Sequence, residues 1–198
     1  MGAGQVGYDI TMDHQTGTSN AMAASATLHC LTGCSIGEIV GMLISSAAGW
    51  GNVASIAISF GLAFVFGYTL SSLPLVRTGL GVVAALQLVL AADTLSILTM
   101  EVVDNGVMAL VPGALEAQLP DTLFWLGMGM SLLVAFAAAF PVNRWLMSRD
   151  RGHALTHEYM GAEAAGGWRR FVPDLPAPAL AAAIGSFLLG ALLVAAVG

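Results

Sequence analysis

Lysine is absent from this 198-residue chain, and charged residues of every kind make up only 9% of it. A soluble domain carries about a quarter charged residues, so this chain has too little charge to coat a water-facing surface. Six arginines stand against twelve acids, for a net charge of −6. No basic face can be built from that balance, which excludes nucleic acid as a partner. Cysteine is scarce too. Cys30 and Cys34 stand four apart in one apolar segment, which is not the framework of a disulfide-rich secreted domain. A CxxC pair is missing, and two cysteines one helical turn apart are awkwardly placed for a disulfide, so a thiol redox protein is disfavoured. Serine-nucleophile motifs, phosphate loops and dinucleotide fingerprints are missing as well. HALTHE has two histidines at zincin spacing but lacks the glutamate after the first. An enzyme is not the expectation.

What the chain has in quantity is hydrophobicity: 57% of its residues, and a mean hydropathy of +0.83. A membrane-crossing helix needs about 20 mostly apolar residues. Five segments meet that length, near 22–48, 52–73, 79–111, 121–147 and 178–197. Gly49–Trp50–Gly51 separates the first two so tightly that they must form an antiparallel hairpin. Pro74 is expected to stop the second segment, and Pro112–Gly113 the third. The predicted fold is an all-α integral membrane bundle of five helices, one domain over 22–198. Residues 1–21 are polar and glycine-rich with no basic start, so they read as a flexible tail rather than a secretory signal. An odd helix count and the lack of a visible repeat argue against a simple inverted duplication.

Orientation follows from arginine in short loops. Arg144, Arg149, Arg151, Arg169 and Arg170 cluster around the fourth-to-fifth connection, residues 148–177, and Arg77 lies between the second and third segments. A five-helix count puts both loops on one side. The expectation is a cytoplasmic N-terminus, with the loop around Glu116 and Asp121 outside.

The remaining question is why a lipid-embedded chain holds acids and thiols. Positions four apart stack on one helix face. Cys30, Cys34, Glu38 and Met42 make such a stripe, and His29, Gly33, Gly37 and Gly41 make another beside it. The glycines form a seam that lets a second helix approach closely. The third segment carries Asp93, Met100, Asp104 and Met108 on one broad face, with Glu101 at its edge and Asn105 beside it. A charged residue at the bilayer centre costs about 2.5–3.5 kcal/mol on insertion scales, and function is the default reading. Combined with the orientation, these residues form a ladder. Met108, Asp104 and Glu101 fall in the outer half, level with Met128 and Met130 of the fourth segment. Asp93 and Glu38 fall near the midplane, and Cys34, Cys30 and His29 in the inner half. His153 and His157 fall just inside the cytoplasm. Acceptors without an intervening base suit a cation or protons. Thiolate and thioether favour soft metals, imidazole favours copper and zinc, and carboxylates favour harder ions.

Three stretches, HCLTGCSIGEIVGM, DTLSILTMEVVDN and FPVNRWLMSRDRGHALTH, resemble a family of small bacterial polytopic membrane proteins described as a domain of unknown function. The similarity runs from about Leu28 to His157. It implies a helical membrane domain in a bacterial inner membrane, implies no activity, and adds Asn105, Asn143 and Trp145 to the residues of interest. The function expected on this reading is a transporter or channel for a cation, a transition metal such as copper or zinc, with proton coupling as an extension. The metal site would be His29, Cys30, Cys34 and Glu38. The pathway would be Asp93, Met100, Glu101, Asp104 and Asn105, and Asn143, His153 and His157 would serve on the cytoplasmic side. The expected partners are the bilayer and a metal ion or proton, and the glycine seam also suits a homo-oligomer. The alternative is a membrane accessory or assembly protein whose polar residues are structural, for instance with Glu101 satisfied by Arg144 or Asn143.

Overall fold

The computed structural model describes residues 3–149, 166–173 and 175–197, with side chains from Asn20 onward. The described residues are helical throughout, with no strand, and hold five helices long and apolar enough to cross a membrane. They are α1 (Ala3–Ala48), α2 (Asn52–Arg77), α3 (Val82–Leu110), α4 (Thr122–Met147) and α5 (Ala177–Val197). A short 3₁₀ turn, Gly167–Phe171, precedes α5. His153 and His157 lie outside the described residues.

Glycine and proline set the boundaries in three places. Gly49 takes a left-handed φ of +65°, ending α1, and extended Gly51 caps α2. At the start of α3, Gly79 has a φ of +115° and extended Gly81 is the cap, so the helix begins at Val82 rather than at Gly79. Pro112 forces Val111 out of the helical region, and α3 stops at Leu110 as the sequence predicts.

Two boundaries differ from expectation. Pro74 does not stop α2, which runs on to Arg77. A proline in the final turn removes only one hydrogen bond, to the Leu70 carbonyl, and Leu75 and Val76 are buried in a small cluster with Ala85 and Val89 of α3. That burial holds the last turn in place. The backbone of α1 is helical from Ala3, where a tail through residue 21 is expected; its apolar span is Asn20–Ala48.

Burial orders the bundle. Half of the α1 span is buried, against 6% of the α5 span. α1 sits at the centre and touches all four other helices, while α5 rests on α1 and α4 with Leu180 its one buried side chain. Large apolar side chains such as Val53, Val83, Leu133 and Val194 face outward, as lipid-facing residues must.

The closest approach is between α1 and α2. The seam of Gly33, Gly37 and Gly41 lies against Gly67, Ala63 and Ser59 of α2. A Cβ on Gly33 would stand 2.5 Å from the Gly67 Cα. In lipid no water drives helices together, so close backbone packing supplies the attraction. Gly37→Ala is expected to force the pair apart and destabilise the protein by about 1–3 kcal/mol, the usual range for overpacking. Gly61→Ala, on the open face of α2, is expected to leave stability unchanged. Thermal unfolding in detergent of the two variants side by side checks both.

Candidate functional site

The seam turns the neighbouring stripe of α1 toward α3. The two helices run parallel, separated in sequence by a down-going α2, so each α1 residue meets an α3 residue at its own depth. The pairs follow one another turn by turn along α1. Cys30 Sγ donates to Asp93 Oδ2 at 3.6 Å and contacts Ser71 Oγ of α2 at 3.6 Å. Cys34 faces Glu101, and Glu38 meets the Asp104 carboxyl. Met42 and Met108 come next and line a cavity together. Steps of four residues on α1 make each rung about 6 Å beyond the last.

α4 supplies the remaining walls. Ser131 Oγ donates to Asp104 Oδ1 and also to the Met128 carbonyl. Near the other end Asn143 Nδ2 donates to Thr27 Oγ1 at 2.8 Å, and Thr27 in turn donates to the Ala23 carbonyl. Polar residues therefore run from buried Asn143 and Thr27, through Cys30 with Asp93 and Cys34 with Glu101, to half-buried Glu38 with Asp104 and Ser131.

Above Glu38 and Asp104 the column opens. A cleft of about 840 Å³, counting its open mouth, is lined by both carboxyls and by Asn105, Ser131, Met42, Met108 and Met128. Its rim is the α1–α2 turn at Trp50 and the α3–α4 loop at Gln118. That loop is well held. Gln118 N–H donates to Asp121 Oδ2 at 2.7 Å, and Trp125 Nε1 donates to the Leu119 carbonyl at 2.7 Å.

Glu101 is fully buried, and its side-chain hydrogen-bond contact is with the Cys34 thiol. Its polar neighbours are the Cys34 thiol and the Asp104 carboxyl. The structural partners considered for it lie elsewhere: Asn143 is bonded to Thr27, and Arg144 is exposed. Gln87 is exposed, and Thr94 is bonded to Tyr68 on the outer surface.

Several sequence-based sites separate in space. His29 Nδ1 donates to the Ser25 carbonyl of its own helix at 2.8 Å. Cys30 sits with Asp93, and Glu38 lies with Asp104 rather than at the depth of Asp93. Among the described residues no three His, Cys, Asp or Glu side chains are grouped to hold a metal ion. Met100 belongs to the apolar core, with Cys30, Ile97 and Leu132. Asn105 Nδ2 donates to the Glu101 backbone carbonyl at 2.9 Å and lines the cleft. Trp145 is half exposed under the Arg149 guanidinium, 4.4 Å from the ring centroid.

Ser131, Ser71 and Thr27 complete the column, and sequence reasoning missed them. Serine and threonine in membrane helices commonly bond their own backbone, as Thr32 and Ser35 do here. Nothing in the sequence separates those from the few that reach a neighbouring helix.

A family model described as a domain of unknown function, DUF4396, matches residues 19–152. The chain belongs to the DUF4396 family. No curated protein and no solved structure matches it. The DUF4396 region spans α1 from its apolar start through α4 and leaves out α5. Every residue of the column, from Thr27 to Asn143, falls inside it, and the helix left outside is the peripheral one.

Two stability measurements follow. Thr27→Val and Asn143→Leu each strand a buried polar partner, and each is expected to cost about 1–3 kcal/mol. The double variant is expected to recover part of that loss, with a coupling of about 0.5–3 kcal/mol in a double-mutant cycle. Glu101→Met removes a buried carboxyl whose side-chain hydrogen-bond partner is a weak thiol donor, so it is expected to raise the unfolding temperature rather than lower it.

Proposed function

We propose that this DUF4396 protein is a membrane transporter for a cation, with a transition metal such as copper or zinc as its cargo and protons as the coupling ion. The observation that carries the reading is the continuous buried column of carboxyls, thiols and hydroxyls beneath an open cleft. Ionisable groups inside a bilayer are costly and mark ion pathways and proton relays. Glu101 is buried in the middle of that column beside the Cys34 thiol and the Asp104 carboxyl, an arrangement that stability alone does not favour.

The column holds acids and thiols, and no lysine or arginine is buried between the Thr27 and Glu38 levels, so it suits cations better than anions. Two carboxylates as close as Glu38 and Asp104 repel when both are ionised, so the pair is suited to exchange a proton for a cation arriving in the cleft, because carboxylates and thiols bind metal only when deprotonated. Glu101 with Cys34, and then Asp93 with Cys30, would accept the cation or the proton on the way through. This coupling needs no pre-assembled metal cage, which agrees with the paired spacing of the side chains.

The same reading orients the protein. Arg77, Arg144 and Arg149 end α2 and α4, and the 3₁₀ turn carrying Arg169 and Arg170 packs on α2. Trp145, Trp168 and Phe171 lie at this end, each beneath an arginine. Basic and aromatic residues together mark a cytoplasmic membrane interface. The cleft would then face the outside of a bacterial inner membrane, with the N-terminus inside.

The second reading is a membrane accessory protein in which the column only fixes helix positions. The Thr27–Asn143 and Ser131–Asp104 bonds, which tie α4 to α1 and α3, favour it. Transport in proteoliposomes separates the two. Asp104→Asn and Glu101→Gln are each expected to slow copper or zinc uptake, and the accompanying proton movement, at least tenfold while the protein stays folded. Uptake that matches the wild type in both variants would remove the pathway.

A further inference from the structure

The ladder does not end at the carboxyls. One turn beyond Glu38 is Met42, and one turn beyond Asp104 is Met108. α4 runs the opposite way, so one turn from Ser131, in the same outward direction, is Met128. All three methionines line the cleft directly above the carboxyl pair. Met108 Sδ reaches the α4 backbone at Gly127, where an added Cβ would come within 3.0 Å of the sulfur. A glycine at that position keeps room for the thioether beside Met128. Met130, two residues on, points away and is 45% exposed.

From these positions we infer that the cleft is a binding site for a soft monovalent cation, Cu(I), with the thioethers of Met42, Met108 and Met128 as its ligands. The inference rests on the transport reading and narrows the cargo within it. Thioether sulfur is a neutral, soft donor that prefers Cu(I) to Zn(II) or the harder divalent ions. Neutral ligands need no deprotonation, so the site would capture the ion at any pH where the protein is folded. The Glu38 and Asp104 carboxyls below supply countercharge, and beneath them the fully buried Glu101 sits beside Asp104 and Cys34. Three helices each contribute one methionine to the cleft, so an ion held by all three would also tie α1, α3 and α4 together at their outer ends. This site differs from the sequence-based one at His29, Cys30, Cys34 and Glu38. It lies in the open cleft, and histidine takes no part in it.

Anaerobic titration tests it. Purified full-length protein in detergent competes for Cu(I) with a colorimetric Cu(I) chelator. The work is done in a Cys30→Ser/Cys34→Ser background, so that thiols contribute nothing. The expected result is one Cu(I) withdrawn from the chelator per chain, displaced by Ag(I) and not by Zn(II). Met42→Leu/Met108→Leu/Met128→Leu is expected to weaken binding at least a hundredfold, and Met130→Leu to leave it unchanged. Equal Cu(I) affinity in the triple variant, or binding that vanishes with the cysteines alone, would overturn the site. If the triple variant fails to fold, the three single variants replace it. Each is expected to weaken binding at least tenfold, and three unchanged affinities overturn the proposal. X-ray absorption of the loaded protein gives an independent check: sulfur scatterers are expected around copper, and a shell of only nitrogen and oxygen refutes the thioether site. Uptake in proteoliposomes keeps the two readings apart. Cu(I) bound through the methionines with uptake indifferent to Asp104→Asn would leave the site and remove the pathway. Uptake that needs Asp104 while the triple variant binds Cu(I) normally would do the reverse.

Discussion

Backbone contact between α1 and α2 is the constraint on which the other features depend. Gly33, Gly37 and Gly41 let α1 settle against Gly67, Ala63 and Ser59 with no side chain between. Once that face is committed to α2, the adjacent face can point only toward α3 and α4. That adjacent face carries Cys30, Cys34, Glu38 and Met42. The seam therefore packs the hairpin and also aims the polar stripe into the bundle. It further explains why α1 is the central helix. Its small residues admit one neighbour closely, and its mixed polar stripe must be shielded from lipid by the others.

The parallel relation of α1 and α3 follows from two short connections, and it turns two stripes into a ladder. Every group that is expensive in hydrocarbon faces another such group or a hydroxyl: Cys30 with Asp93 and Ser71, Glu38 with Asp104, Asp104 with Ser131. Glu101 with Cys34 follows the same pattern. The rungs grade from thiol and carboxyl at depth to carboxyl and thioether at the open end. The chemistry available to an ion would change as it moved.

The two ends of the bundle differ in kind. One is a cleft rimmed by a tryptophan, an asparagine and a tightly hydrogen-bonded loop. The other gathers arginines over aromatic rings. Between them, the Thr27–Asn143 bond closes the column at the arginine end. Pro141, in the same stretch of α4, leaves the Ala137 carbonyl without its helical partner.

Much of this protein was legible in one dimension because membranes impose one-dimensional rules. Length and hydropathy alone specify five spans, since a helix is the way a lone segment satisfies its backbone in lipid. Glycine and Pro112 mark most of the ends, and residues four apart share a face, so the stripe of Cys30, Cys34, Glu38 and Met42 and the glycine seam were both visible. Pro74 misled because burial of Leu75 and Val76 outweighs one lost hydrogen bond. Register between helices was the hidden quantity. Helical periodicity says which residues share a face but not how far one helix slides along another. Placing Glu38 beside Asp104 rather than at the depth of Asp93, turning His29 onto its own backbone, and bringing Ser131 and Met128 to the cleft were decided only when the helices packed. Those choices depend on knobs, small residues and hydrogen bonds between segments distant in sequence, and no local pattern records them.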